Sequence, residues 1–418
     1  MARQMKDSGV EWIGKIPEGW NLIKGRYCYK IQSGFPFASD NFSVTKGFPL
    51  IRIRDITSGS IETFYDGEYP NEYIVNQGDF LIGMDGDFNV RMWSNRPALL
   101  NQRCCRVSEY KGYERKYLFY ILPFYLNLVN QLTYSTTVKH LSVPDLNEAD
   151  IPSPSLLEQQ RIASFLDKKC SAIDDVLAKT QESIEEYKKL KQAVITEAVT
   201  KGVRGKRPMK DSGIDWIGQI PKDWNVQRIK TLFDLRTELN YKPLEDVNLI
   251  SLYTDMGVVQ HADLEKTTGN KAMNADGYKI VYENDIVVNI ILCWMGAIGR
   301  SSYNGVTSPA YDVYCPKDGV NSEFYHYYFR TAGFNGDCFT RGRGIMLMRW
   351  RTYSDQFRDI RVAVPPLEEQ GAIVDYLDKK CAAIDTLISK KQQFIEELTA
   401  YKKSLIYEYV TGKKEVPA

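Results

Sequence analysis

Between residues 156 and 200, apolar or seam positions recur at steps that settle into an alternation of three and four. Ile162, Leu166, Cys170, Ile173, Leu177, Thr180, Ile184, Tyr187, Lys191, Val194 and Ala198 mark one stripe. That spacing belongs to a helix with a narrow coiled-coil seam. Adding 211 to each number gives Ile373, Leu377, Cys381, Ile384, Ile388, Lys391, Ile395, Leu398, Lys402, Leu405 and Tyr409, the same stripe a second time. The remaining faces carry Lys, Glu and Asp, as solvent-facing positions should. Pro152 and Pro154 precede the first stripe, and Pro365 and Pro366 the second. Proline suits a helix entrance, where its missing N–H has no partner to lose. Gly202 and Gly412 follow the two ends as helix stops. Two helices are therefore predicted, over 156–200 and 365–411, each roughly 65 Å long at 1.5 Å per residue. Such stripes cannot stay in water. Two matched ones in a repeated chain most simply bury each other about a pseudo-two-fold axis, as an antiparallel pair.

Outside the stripes the period changes. Short β-rich runs at 49–53, 79–82 and 285–292 alternate with Gly, Asn and Asp turns, and helices are expected near 116–131 and 322–332. The aromatic residues of those two helices read as core. The expected fold class is α+β: two mixed α/β domains, separated and joined by two long helices that form an antiparallel coiled coil, with a pseudo-two-fold repeat. The expected division is a first cassette (1–155), the first helix (156–200), a linker (201–208), a second cassette (209–364), the second helix (365–411) and a tail (412–418).

The cassettes begin alike. Residues 5–21 read MKDSGVEWIGKIPEGWN and residues 209–225 read MKDSGIDWIGQIPKDWN, identical at 12 of 17 positions. LDKKCSAID (166–174) and LDKKCAAID (377–385) agree at 8 of 9. Between these blocks the halves look unrelated. Trp12, Trp20, Trp216 and Trp224 in the repeated openings are expected to pin each cassette start to the body.

Composition narrows the function classes. No run of about 18 apolar residues predicts a membrane span, and the opening MARQMKDSG has no apolar signal stretch, so a cytoplasmic protein is expected. Eight cysteines without a Cys-x-x-Cys pair read as reduced thiols, and three scattered histidines argue against a zinc site. Net charge is +1, yet charge is locally uneven. Residues 91–116 hold seven basic side chains against two acids, and residues 330–361 hold seven arginines against three acids. One basic stretch in each half points to a polyanion, although a solvated basic surface is the competing reading.

Catalytic signatures are missing. There is no phosphate-loop motif, no Gly-x-Gly-x-x-Gly opening a helix, and no Asn/Asp-Pro-Pro-aromatic element of an amino-methyltransferase. Pro144-Asp145 with Asp167-Lys168-Lys169 imitates a nuclease metal motif. Its second part lies inside the helical stripe, and the repeat copy, Asp378 and Lys380, has no matching Pro-Asp. The chain reads as a binder.

With two variable cassettes and two repeated helices in view, the chain resembles, over nearly its whole length, the specificity subunit of type I restriction–modification systems. The carrying residues are the repeated openings, GDFLIGMDGDFNV (78–90), LLNQRCCRV (99–107), NDIVVNIILCWMGAIGRS (284–301), GVTSPAYDVY (305–314), and the helix entrances IPSPSLLEQQRI and VAVPPLEEQGAI. The resemblance implies that each cassette is a target-recognition domain reading one half of a split DNA site. It implies that the helices hold the readers apart and dock two modification subunits. It also implies a non-catalytic chain without a cofactor of its own. S-adenosylmethionine would come with the modification subunits, and ATP and Mg²⁺ with restriction subunits. Because the cassettes differ, the half-sites should differ.

Residues 133–140 fall at the 211 offset onto 344–351, just before the helix entrances. Expected DNA contacts are Arg91, Arg96, Arg103, Thr136, Thr137, Lys139 and His140 in the first cassette and Arg341, Arg343, Arg349 and Arg351 in the second, with surface ion pairing as the competing reading. Expected partner contacts are Glu158 and Gln159 at one helix entrance and Glu369 and Gln370 at the other. The alternative function is a coiled-coil protein-interaction scaffold, which leaves the basic stretches unexplained; a stand-alone enzyme with an unrecognised site is the remaining rival.

Overall fold

The computed structural model describes residues 3–132, 139–254, 256–261, 274–345 and 350–417. The chain forms two compact units, Met1–Thr180 with Gln393–Ala418, and Gln181–Gln392. These units cut across the six expected segments, each taking about half of each long helix. The helices themselves lie where the stripes put them, at Leu156–Lys201 and Leu367–Val410. Every seam position of both stripes is buried or half-buried.

Within each unit the two helix halves run antiparallel. In the first, Lys402 Nζ contacts both Asp174 carboxylate oxygens at 2.6 and 2.7 Å, and Phe165 packs on Tyr409. In the second, Lys191 Nζ contacts Asp385 at 2.7 Å twice, and Lys391 lies over the Tyr187 ring. Asp174 and Asp385, and Lys191 and Lys402, are equivalent at the 211 offset. The seam lysines therefore set register in both units, as polar seam residues do. Apolar seam residues join the cassette cores. Ile162, Leu166, Leu405 and Tyr409 pack with Tyr117, Ile121 and Leu146 in the first unit. Ala198, Ile373 and Leu377 pack with Trp224, Phe324 and Tyr325 in the second, with Ile195 and Val199 beside them. No helix among the described residues is long and apolar enough to cross a membrane.

The cassettes share a sheet that their sequences conceal. In the first unit Lys30–Ser33, Cys104–Ser108, Phe80–Gly83 and Val90–Met92 lie side by side, all antiparallel. In the second the same order holds for Phe233–Leu235, Tyr311–Pro316, Ile286–Asn289 and Ile298–Arg300. The first unit adds a five-stranded sheet between residues 42 and 100, whereas the second adds two separate strand pairs. Each cassette enters and leaves through one ribbon. Asn21–Lys24 pairs with Asp150–Ser153, and Asn225–Arg228 with Arg361–Val364.

Three expected elements end early for local reasons. The run at 49–53 is strand only over Phe48–Ile51; Asp55 accepts from the Arg52 N–H at 2.8 Å and starts the helix Ile53–Ser58. The run at 285–292 is strand over Ile286–Asn289, where the Asn289 side chain takes the N–H groups of Ile291 and Leu292 and turns the chain. The helix expected to Ala332 stops at Phe329, and Thr331 caps a new helix, Ala332–Arg341. The helix expected near 116–131 spans Arg115–Leu132.

Candidate nucleic-acid interface

The repeated blocks build the same latch in each unit. In the first, the Trp20 indole N–H donates to Glu158 at 3.1 Å, and Arg3 pairs with the same carboxylate at 2.7 Å while lying over the Trp20 ring. In the second, Trp224 donates to Glu369 at 3.0 Å, and Arg207 donates at 2.9 Å while lying over Trp224. The next residue repeats too. Gln159 accepts from the Glu114 N–H at 2.9 Å and donates to the Pro154 carbonyl; Gln370 accepts from the Asn321 N–H at 2.9 Å and donates to the Pro365 carbonyl. About two turns on, Tyr120 donates to Asp167 at 2.8 Å and Tyr327 to Asp378 at 2.6 Å. Burial and these carboxylates push both phenols well above their usual range, so they stay donors. Lysines close each end. Lys201 Nζ donates to the carbonyls of Ile217 and Gln219, and Lys413 Nζ to those of Ile13 and Lys15.

These contacts give the expected docking residues internal partners. Gln159, Glu369 and Gln370 are buried and satisfied within their own units, and Glu158 is held by Trp20 and Arg3. They bolt cassette to helix. The tryptophans are anchors as expected: Trp12 packs near Tyr125, and Trp216 donates to Asp337 at 2.8 Å. Asp145, half of the nuclease lookalike, caps the short helix Val143–Asn147 through Ser142.

The expected DNA contacts divide. Thr136, Thr137 and Arg349 lie outside the described residues. Arg91 is half-buried and donates through Nε and one terminal nitrogen to the Ile56 and Thr57 carbonyls at the end of the helix Ile53–Ser58. Arg96 is exposed, 5.3 Å over the Phe64 ring. Arg103, Lys139 and His140 converge on residues 84–86. The Met84 N–H donates to the Arg103 carbonyl, the Gly86 N–H to the Lys139 carbonyl, and Asp85 bridges to His140. Lys139 Nζ also donates to the Asn130 side chain at 3.0 Å.

In the second unit, Arg343 and Arg351 exchange backbone hydrogen bonds of 2.8 and 2.9 Å, and Arg341 ends the helix Ala332–Arg341. Trp350 stacks on Phe339 at 5.1 Å, which stiffens the base of this arm. Among the described residues no ion pair or side-chain hydrogen bond holds Arg341, Arg343 or Arg351. Three guanidiniums in one arm without such a bond among the described residues are a candidate place for a polyanion. Sequence reading missed Asp85. Its signal was a carboxylate inside GDFLIGMDGDFNV, flanked by glycines at a strand end. Among the described residues no group of acidic, histidine and cysteine side chains could hold a metal ion.

A family model for the type I restriction modification DNA specificity domain matches residues 17–186 and again 221–397. The EcoBI specificity subunit of Escherichia coli is 33% identical over 319 residues, 72% of this chain and 65% of that relative; the match thus spans just under two thirds of the relative's length. The MjaVIII specificity subunit of Methanocaldococcus jannaschii is 23% identical over 430 residues, 96% of this chain and 94% of the relative. A chain solved in work on complex assembly and conformational transition of a type I R-M system shares the fold, with a TM-score of 0.68 at 15% identity, over 96% of this chain and 99% of that one. Two matches to one specificity domain, falling on the two latched repeats and together spanning most of the sequence, show that this chain belongs to the family of type I restriction–modification specificity subunits.

Proposed function

We propose that this chain reads a bipartite, asymmetric DNA target, one half-site per unit, and docks two modification subunits that bring S-adenosylmethionine and the methyl-transfer chemistry. Restriction subunits with ATP and Mg²⁺ are a further class of partner. One observation carries the reading: unlike cassettes enter and leave through like ribbons and are bolted by like latches. Such a design keeps the frame constant while the recognised sequence varies. The arginine arm of the second unit and the cationic corner of the first supply the charge that DNA binding needs.

Since the polar residues at the helix entrances are engaged internally, the docking surface proposed for the modification subunits is the exposed apolar rim beside them, at the equivalent positions Leu156 and Leu367, at 46% and 54% exposure. Leu156→Asp should reduce two bound modification subunits to one, read by the mass of the complex; two retained would move the docking surface elsewhere. The function is tested by mapping methylated sites in a genome exposed to this chain with its modification subunit. Two unlike half-sites at a fixed gap are expected. A palindromic site, or methylation without sequence preference, would contradict the reading.

A further inference from the structure

The corners where the central strands end share one backbone frame. In the first unit the Met84 N–H donates to the Arg103 carbonyl at 2.9 Å, and the Met84 carbonyl accepts from the Leu141 N–H at 2.7 Å. In the second unit the Ile290 N–H donates to the Ala310 carbonyl at 3.4 Å, and the Ile290 carbonyl accepts from the Thr352 N–H at 2.9 Å. The frame therefore sets Arg103 against Ala310, Asp85 against Ile291, and His140 against Arg351. The backbone is kept and the polar side chains are exchanged, as two readers of unlike sequences require.

In the first unit Asp85 lies between two exposed bases. Its Oδ2 is 3.6 Å from Arg103 Nε, and its Oδ1 is 2.7 Å from His140 Nδ1. The Asp85 side chain is 21% exposed, against 57% for Arg103 and 51% for His140. The carboxylate meets the guanidinium at its inner Nε edge. Among the described residues the two terminal nitrogens carry no hydrogen bond, and with the side chain 57% exposed they remain available as a pair of parallel donors. That geometry matches the O6 and N7 acceptors that guanine presents in the major groove. A pair this exposed adds little to folding stability, so stability does not account for it.

We infer that Arg103 reads a guanine in the half-site of the first unit, and that Asp85 is the positioning residue that orients it. The inference rests on the DNA-reading role proposed above. It is tested with the full chain in complex with its modification subunits. Methyl transfer is measured on duplexes in which each guanine of the first half-site is replaced in turn by 7-deazaguanine, which lacks N7. The wild-type complex should lose roughly 5- to 150-fold at one position. Arg103→Ala should abolish sensitivity at that position and leave discrimination in the second half-site unchanged. Arg103→Lys, which keeps the charge without the fork, should restore binding but not the sensitivity. Asp85→Asn should weaken the sensitivity while binding persists, and Asp85→Glu should retain more of it. Three outcomes overturn the assignment. One is a first half-site without guanine on either strand. Another is an Arg103→Ala complex that keeps the sensitivity. The third is an Arg103→Ala complex slowed equally on every duplex with a salt slope lower by about one, which is the signature of a phosphate contact. A wild-type complex without any sequence preference would overturn the DNA-reading role along with it.

Discussion

Glu369 is fully buried, and its carboxylate is held by Arg207 and Trp224. Removing Arg207 leaves a buried carboxylate with only the Trp224 N–H to satisfy its charge. Arg207→Ala should therefore weaken the second latch by about 3 kcal/mol. The equivalent pair in the first unit, Arg3 with Glu158, keeps 29% and 28% side-chain exposure, so Arg3→Ala should cost under about 1 kcal/mol. Hydrogen exchange of residues 5–21 and 209–225 reads each latch separately; equal protection losses would contradict the difference in burial. A second residue-scale test concerns His326, whose Nδ1 accepts from the Arg300 N–H at 3.2 Å. Burial, with the charges of Arg330 and Arg300, pushes its pKa down to about 4 from the ordinary 6.5. The unfolded chain thus takes up the proton first as pH falls. The stability contribution is full above pH 6.5 and is lost between 6.5 and about 4. Lowering pH from 7 to 5 should remove about 2 kcal/mol through this residue, and His326→Gln should lose less, as measured by urea unfolding at both pH values. At this scale the sequence was legible where the repeat doubled a signal, as with the four tryptophans. It could not show where a basic or polar residue has an internal partner, as Arg91 has in the carbonyls of Ile56 and Thr57, or Gln370 in the Asn321 N–H.

The long helices were legible to within two residues because a seam residue recurs every turn and each stripe occurs twice. Their register was not legible. It depends on Lys191 with Asp385 and Asp174 with Lys402, pairs that meet only in three dimensions. The common four-stranded sheet was hidden for another reason: its strands are three to six residues long, and buried strands need only apolar bulk, which unlike sequences supply equally well. Register leads to a test. One heptad added to each helix, after Glu185 and after Glu396, lengthens the pair by about 10 Å. Both Lys–Asp pairs should survive, and the tolerated gap between half-sites should grow by about three base pairs with neither half-site altered. Two residues added at the same points would turn the stripe toward solvent, and thermal unfolding should report the loss. A folded heptad variant with an unchanged gap would contradict the helices as spacer.

In the function proposed, the molecule as a whole is a constant frame that carries two independent readers. The frame is the part the sequence states twice: openings, latches, seams and the lysines that close each helix end. The readers are the part it states once each, which is why the pairing of Asp85 with Arg103 and His140 emerges only from the folded corner. The claim has a structural handle in the ribbon Asn21–Lys24 with Asp150–Ser153, through which the first cassette enters and leaves. Exchanging residues 25–149 for the equivalent cassette of another family member keeps that ribbon, the latch and the seam. The most direct measurement is the methylation map of the exchanged chain with its modification subunits, set beside that of the original. The account expects one half-site replaced, with the other half-site and the gap unchanged; a change in both half-sites, in a folded and active complex, would contradict it.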